Sequence, residues 1–235
     1  MAKAKKKSSH ARAPWALITG ASRGIGFATA AALADAGFDL IVTSTKPGGT
    51  NSVSLAARRC GREVEEIVYD AAKKSDADKL AKAAAKATVI IHNAGVVIRK
   101  PMWKMKDDSD FDSVLDVNLR GPFYLTRRLM PGLVKQGRGA VIFVSSVSAT
   151  LGSPGLTGYC ASKWGLDGLM KSVAEEVRGT GVFVASVAPG SVDTDMLQGS
   201  EFPALMGPED VARTITWLVT DAPGALHGSR VEMFG

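Results

Sequence analysis

Thr19-Gly20-Ala21-Ser22-Arg23-Gly24-Ile25-Gly26 joins a short apolar run, Ala16-Leu17-Ile18-Thr19, to an alanine-rich stretch over 24–36. The run has the composition of a buried strand and the stretch that of a helix. Glycines between them allow a tight turn and let backbone N–H groups approach an anion at the positive end of the helix. A pyrophosphate suits such a turn. Glycine also marks any tight strand-to-helix turn, so the triplet alone says little. The strand before it and the helix after it carry the dinucleotide reading.

Outward from this turn the chain alternates in the same way. Strands are expected over 40–43, 64–69, 88–92, 140–145, 182–187 and 230–234, and helices over 52–60, 76–86, 111–136, 158–178 and 208–219. Strands that are β-branched and almost continuously apolar belong in a parallel sheet covered on both faces. Right-handed crossovers then predict an α/β, doubly wound, Rossmann-type sheet with helices on both faces. No internal repeat or Pro/Gly/Ser-rich linker divides the chain. Its 235 residues read as a basic leader, 1–13, and one dinucleotide-binding domain, 14–235.

Composition narrows the function classes. Hydrophobic residues make up 46% and charged residues 22%, a globular balance. The longest apolar runs, such as Val141-Ile142-Phe143-Val144, are too short to span a bilayer. Cys60 and Cys160 form no C-x-x-C pair, and His10, His92 and His227 lack ligand spacing; neither a disulfide framework nor a metal site is expected. A reducing, cytoplasmic setting follows from that cysteine usage. The formal net charge of +6 is concentrated in Lys3, Lys5, Lys6, Lys7 and Arg12. This leader reads as a solvated, disordered tail rather than a basic arm, so no nucleic-acid or membrane partner is expected. It lacks the apolar segment of a secretory signal.

Tyr159-Cys160-Ala161-Ser162-Lys163 puts a phenol and an ammonium at i and i+4 on one helix face. A free phenol titrates near about 10, and a neighbouring cation favours its ionised form. Lowering that value by about two to three units corresponds to roughly 3–4 kcal/mol. Such a tyrosine can exchange a proton with a carbonyl or alcohol oxygen near neutral pH. Val144-Ser145-Ser146-Val147-Ser148 ends a strand, where ligands collect in open α/β sheets. Asn118, in Asp116-Val117-Asn118-Leu119-Arg120-Gly121, is unfavourable inside a helix, which hints at a special role.

The G-x-x-x-G-x-G spacing of Gly20, Gly24 and Gly26, together with the Tyr159/Lys163 pair, resembles the short-chain dehydrogenase/reductase family, from about Trp15 to Gly235. The resemblance implies an oxidoreductase that moves a hydride between a nicotinamide and a carbonyl or secondary alcohol. The family's catalytic serine lies thirteen positions before the tyrosine, which selects Ser146; Asn118 matches the asparagine that holds a proton-relay water near Lys163. The catalytic set so implied is Asn118, Ser146, Tyr159 and Lys163. The cofactor set is Gly20, Ser22, Arg23, Gly24, Ile25, Gly26, Thr43, Thr45, Lys46, Asp70, Asn93, Ala94, Gly95, Pro189, Gly190, Val192 and Thr194, with Tyr159 and Lys163 also in contact. Asp70 matches the adenine contact, Asn93-Ala94-Gly95 the brace of the pocket, and Pro189 to Thr194 the clamp on the nicotinamide carboxamide. His92 departs from the family, which usually has asparagine there, and reads as a strand-end residue that preserves the turn.

NADP(H) is preferred over NAD(H). Asp39 lies at the start of the second strand, whereas the cofactor lies at its carboxyl end. There the chain reads Thr43-Ser44-Thr45-Lys46, with no carboxylate to bind a 2′-hydroxyl. Lys46 and Arg23 are cations that could meet a 2′-phosphate. Family precedents for the substrate include carrier-linked 3-oxoacyl groups, sugars, steroids and xenobiotic carbonyls. The resemblance also implies a homo-oligomer, dimer or tetramer, built on the two long helices. The segment 197–207 is short, and Gly199, Pro203 and Gly207 interrupt any helical lid, which predicts an open site. Phe202, Leu205 and Met206 could wall the substrate or pack in the core. The competing function is a nucleotide-sensing or scaffold protein of the same fold with little turnover.

Overall fold

The expected strands pair into a single seven-stranded parallel sheet in the computed structural model, which describes residues 13–235. The two edge strands, Val64–Val68 and Arg230–Met233, carry charged residues and are not fully covered, because an edge has a neighbour on one side only. The strands are β1 (Trp15–Ile18), β2 (Asp39–Ser44), β3 (Val64–Val68), β4 (Ala87–His92), β5 (Gly139–Val144), β6 (Val182–Pro189) and β7 (Arg230–Met233), in the order β3-β2-β1-β4-β5-β6-β7. The helices are α1 (Gly24–Asp35), α2 (Asn51–Arg59), α3 (Lys74–Ala83), α4 (Ser109–Leu115), α5 (Gly121–Gln136), α6 (Thr157–Glu176) and α7 (Pro208–Thr220). The basic leader, apart from Ala13, lies outside the described residues. Among those described, no helix is long and apolar enough to cross a membrane.

Side chains alternate across each strand, so one apolar run feeds two cores. Ala16, Ile18, Leu40, Val42, Ile142 and Val144 face α1, α2 and α7, where they meet Leu33, Val53, Val211 and Ile215. Leu17, Ile41, Ile90, Val141 and Phe143 face α3, α5 and α6, where they meet Leu80, Leu125, Leu133 and Met170. Phe143, Leu17, Leu33 and Leu125 are fully buried, and each contributes on the order of 1.5–3 kcal/mol. The strand order reverses between β1 and β4, and the crevice opens at their carboxyl ends. Ile18 pairs with Ile91, which sets the glycine turn beside the residues following β4.

One helix differs from its expected span. The segment 111–136 is not a single α-helix but α4, one π-helical turn (Asp116–Arg120) and α5. Pro122 explains the break: it has no N–H to donate to the carbonyl four residues back, that of Asn118, so the register widens there. Gly121 is required at this point, because a Cβ would lie 2.7 Å from the Ala71 carbonyl oxygen. Asp39 stays at the far end of β2, where its Oδ1 accepts the Glu63 N–H at 2.9 Å.

Candidate active site

The turn after β1 is held from two sides. Thr43 accepts the Gly20 N–H on its hydroxyl at 3.2 Å and the Ala21 N–H on its carbonyl at 2.8 Å. The Thr19 hydroxyl donates to Ile91 O and accepts from the N–H groups of Asn93 and Ala94. Asn93 Nδ2 donates to the carbonyls of Thr19 and Gly20 at 3.0 and 2.9 Å. A Cβ on Gly26 would sit 2.2 Å from Gly20 O and 2.4 Å from Asn93 Nδ2, so only glycine fits. Gly24 has φ +54 and lies against Thr194. Arg23 supplies no side-chain cap, and no acidic residue stands in the first turn of α1. That positive helix end, beside exposed Ser22 and half-buried Ile25, fits the diphosphate of a dinucleotide.

His92 ends β4 and is buried, stacked on Phe143 with ring centres 4.8 Å apart. Its Nε2 is 2.8 Å from the Thr126 hydroxyl. Burial pushes its pKa down to about 3, so the ring is neutral and joins β4 to α5.

The four residues expected to be catalytic converge at the carboxyl ends of β4 and β5. Ser146 follows β5 in an extended conformation; its Oγ accepts the Ser148 N–H at 3.1 Å and lies 3.4 Å from Pro189 O. Lys163 is buried on α6, with Nζ donating to Val144 O at 2.8 Å and 5.6 Å from the centre of the Tyr159 ring. Asn118, in the π turn, accepts the Val96 N–H at 2.8 Å and donates to Val96 O and Ser162 Oγ. It braces the loop after β4 against α6. Ser162 in turn donates to Tyr159 O at 2.7 Å.

The electrostatics correct one expectation. The Tyr159 phenol is raised above its ordinary value, because desolvation on burial outweighs the opposing pull of the Ser146 hydroxyl. The Lys163 ammonium is spent on a main-chain carbonyl, and burial lowers its own pKa to about 8 against a smaller opposing pull from Asp167. A phenol held protonated near neutral pH suits proton donation to a carbonyl oxygen.

The outer parts of the expected cofactor set are placed less uniformly. Arg23 Nε lies 3.1 Å from the Asp195 carboxylate, so this guanidinium faces the loop after β6 rather than Lys46. Both groups are exposed, and such a pair is worth at most about 1 kcal/mol, so redirecting Arg23 costs little. Thr45 and Lys46 are exposed, whereas the Thr43 hydroxyl is committed to the turn. Asp70 accepts the Ala72 N–H and pairs with Lys73 at 3.3 Å. Beyond Pro189, Gly190 N donates to Met233 O, and Val192 is buried in a bridge with Met206. A Cβ on Gly95 would lie 3.8 Å from Lys163 Nζ.

The segment 197–207 contains no α-helix, as its glycines and proline imply; Leu197 ends a single 3₁₀ turn, Asp195–Leu197. Met206 packs in the core, while Phe202 and Leu205 are exposed. Arg99 Nη2 donates to Met196 O at 2.9 Å and ties the turn that leads into this segment to the loop after β4. Arg99, Asp167 and Arg230 escaped the sequence reading. Asp167 had a signal, since it repeats the i, i+4 spacing of Tyr159 and Lys163 on the buried face of α6.

Comparison with known proteins agrees with this geometry. Residues 14–202 match the model of the short chain dehydrogenase family. The chain is 32% identical to 3-oxoacyl-(acyl-carrier-protein) reductase of Escherichia coli (strain K12), over 94% of this chain and 95% of that protein. It is 34% identical to 3-oxoacyl-(acyl-carrier-protein) reductase of Synechocystis sp., over 89% and 90%. A 3-oxoacyl (acyl-carrier-protein) reductase of Agrobacterium tumefaciens C58, solved with NADP bound, superposes with a TM-score of 0.88 at 26% identity, covering 95% of this chain and 94% of that one. The glycine turn at the sheet's switch point, the Tyr159 and Lys163 side chains beside it and these matches lead to one conclusion: the chain belongs to the short-chain dehydrogenase/reductase family and is an NAD(P)-dependent oxidoreductase acting on CH–OH or C=O groups.

Proposed function

We propose that this protein is an NADPH-dependent reductase of bulky or carrier-linked carbonyls, with Tyr159 as the proton donor. The observation that carries the reading is the convergence of Tyr159, Ser146 and Lys163, with Asn118 behind them, next to the glycine turn. NADPH, when bound, supplies the hydride. Ser146 Oγ hydrogen-bonds the substrate oxygen as negative charge develops on it. The Tyr159 phenol, kept protonated by burial, delivers the proton to that oxygen. Lys163, with Nζ 5.6 Å from the centre of the phenol ring, would meet the ribose of a bound nucleotide, and Asn118 keeps the loop after β4 at its distance from α6.

Glycines, Asn93, Ala94 and Gly95 line the dinucleotide crevice, with Ile25 and the segment Pro189–Thr194 on its flanks. NADPH over NADH is supported by the absence of a carboxylate in Thr43-Ser44-Thr45-Lys46, at the carboxyl end of β2, and by the NADP-bound relative. Carrier-linked substrates are supported by the names of the similar reductases and by the helix-free, partly apolar segment around Phe202 and Leu205. Exposed Trp103, Phe123 and Trp164 support a homo-oligomer, a dimer or tetramer, with a face near α5 and α6. Two free cysteines, Cys60 and Cys160, fit a reducing cytoplasm.

The test is a substrate panel followed by NADPH absorbance, run beside nucleotide titrations. The reading expects tighter binding of NADPH than NADH, and higher kcat/KM for a 3-oxoacyl thioester than for a small ketone. Neutralising Arg23 and Lys46 should weaken NADPH about ten- to a hundredfold per contact and leave NADH nearly unchanged. Equal affinity for the two nucleotides refutes the cofactor assignment. Tight NADPH binding with no turnover on any carbonyl favours a nucleotide sensor.

A further inference from the structure

Arg230 opens β7, the last strand, yet its guanidinium reaches the main chain of Ser146, two residues beyond β5. Its Nη2 donates to Ser146 O at 3.0 Å. Its Nε stands 2.8 Å from the Asp167 carboxylate, and both side chains are about nine-tenths buried. The Nε contact is that of an ion pair rather than an aligned hydrogen bond. Nη1 meets Glu232, which lies at the more exposed end of the cluster. Asp167 is one turn beyond Lys163 on α6, as Lys163 is one turn beyond Tyr159. One planar cation therefore contacts three groups in three directions, which an ammonium on a flexible stem does not reproduce.

We infer that Asp167 and Arg230 are positioning residues for the reaction centre. Arg230 fixes the main chain that aims the Ser146 hydroxyl, and Asp167, one turn beyond Lys163, supplies the countercharge to the buried guanidinium. The inference rests on the assignment of Ser146 and Lys163 to the chemistry. Arg230 adds a side-chain contact to a main chain otherwise held by backbone bonds, from Ala149 N–H to Ser146 O at 2.9 Å and from Ser145 N–H to Val187 O at 2.7 Å. The Oγ contact with Pro189 O is long, at 3.4 Å, and its bond to Ser148 is local, so the hydroxyl follows its own main chain. A displacement of about 1 Å at a reacting group can cost on the order of a hundredfold in rate. The charged and titratable groups around Lys163 are Tyr159 and Asp167 on α6, with Arg230 and Glu232 from β7 behind Asp167; Asn118 adds only neutral polarity.

Removing one partner of a buried pair leaves an uncompensated charge and destabilises the fold, so the decisive variants keep the balance. The full chain is assayed with NADPH and the N-acetylcysteamine thioester of 3-oxobutanoate. The double variant Asp167→Asn/Arg230→Gln should hold its NADPH dissociation constant within about threefold while kcat falls about ten- to a hundredfold. Arg230→Lys, which keeps the charge but loses the fork, should fold and show a similar loss; it serves if the double variant does not fold. Asp167→Asn should move the alkaline limb of kcat/KM to lower pH, because the group that sustains the Lys163 charge is gone. Independently of any substrate, amide exchange in the peptide spanning 145–151 should quicken about tenfold in Arg230→Lys. Parental kcat in the charge-balanced variants, or unchanged exchange in that peptide, overturns the inference. Ser146→Ala separates the two levels. If that variant keeps full turnover, the proposed function falls; if it is inactive while the charge-balanced variants are fully active, only the positioning role falls.

Discussion

Replacing His92 by asparagine should abolish about 2 kcal/mol of the stability that the protein loses between pH 7.5 and pH 5. The imidazole is buried against Phe143 and Thr126, with no carboxylate among the causes of its shift, and its pKa lies at about 3 in the folded chain. In the unfolded chain the same ring titrates near about 6.5. Between these values the unfolded state binds a proton that the native state refuses, so stability rises with pH across the window and drains away below about 6.5. At pH 5 the unfolded chain gains about 1.5 pH units of protonation free energy, or about 2 kcal/mol, from this residue. Asparagine can still reach the Thr126 hydroxyl but cannot stack on Phe143, so the variant starts less stable at both pH values. The readout is the difference between them. Urea unfolding at pH 7.5 and pH 5 should show the parent losing about 2 kcal/mol more than His92→Asn. An equal loss in both proteins, or a native His92 ring proton titrating near 6.5 by NMR, refutes the reasoning.

Tyr159→Phe should lower turnover by about 10²- to 10⁴-fold and leave the NADPH dissociation constant, read by fluorescence, nearly unchanged; undiminished turnover removes the proposed mechanism. Gly26→Ala should abolish NADPH binding and lower Tm, because its Cβ would lie 2.2 Å from Gly20 O; calorimetry showing parental affinity contradicts the geometry of the turn. With Lys163 at about 8, the reductive kcat/KM should decline as pH rises through that value, and a profile flat to pH 10 argues against a required ammonium. The same depressed value means that native Lys163 gives up its proton before the unfolded chain does. Its burial cost is therefore relieved, and its contribution to stability rises, between about pH 8 and 10.5.

The parts legible in the sequence are those governed by local periodicity and by glycine sterics. The strand-turn-helix around Gly20, Gly24 and Gly26, the seven strands and the i, i+4 spacing of Tyr159 and Lys163 all follow from neighbours within one or two turns of chain. So does the lack of a helix in 198–207, where Gly199 and Pro203 act directly on the backbone. Gly121-Pro122 is a readable break signal as well, but it does not show that the break takes the form of a π turn at Asn118.

What only the tertiary structure decided depends on which distant groups share a buried volume. Desolvation on burial, rather than the nearness of Lys163, sets the direction of the Tyr159 shift, and burial is not visible in a pentapeptide. The pairing of Arg23 with Asp195 needed the loop after β6 to fold back onto the glycine turn. The link from Asp167 through Arg230 to Ser146 joins α6, the last strand and the end of β5, and its Arg230–Ser146 bond spans 84 positions of sequence. Local patterns determine which elements form and which chemistry they can carry. The folding of the sheet determines which charges those elements must neutralise, because only there are they removed from water.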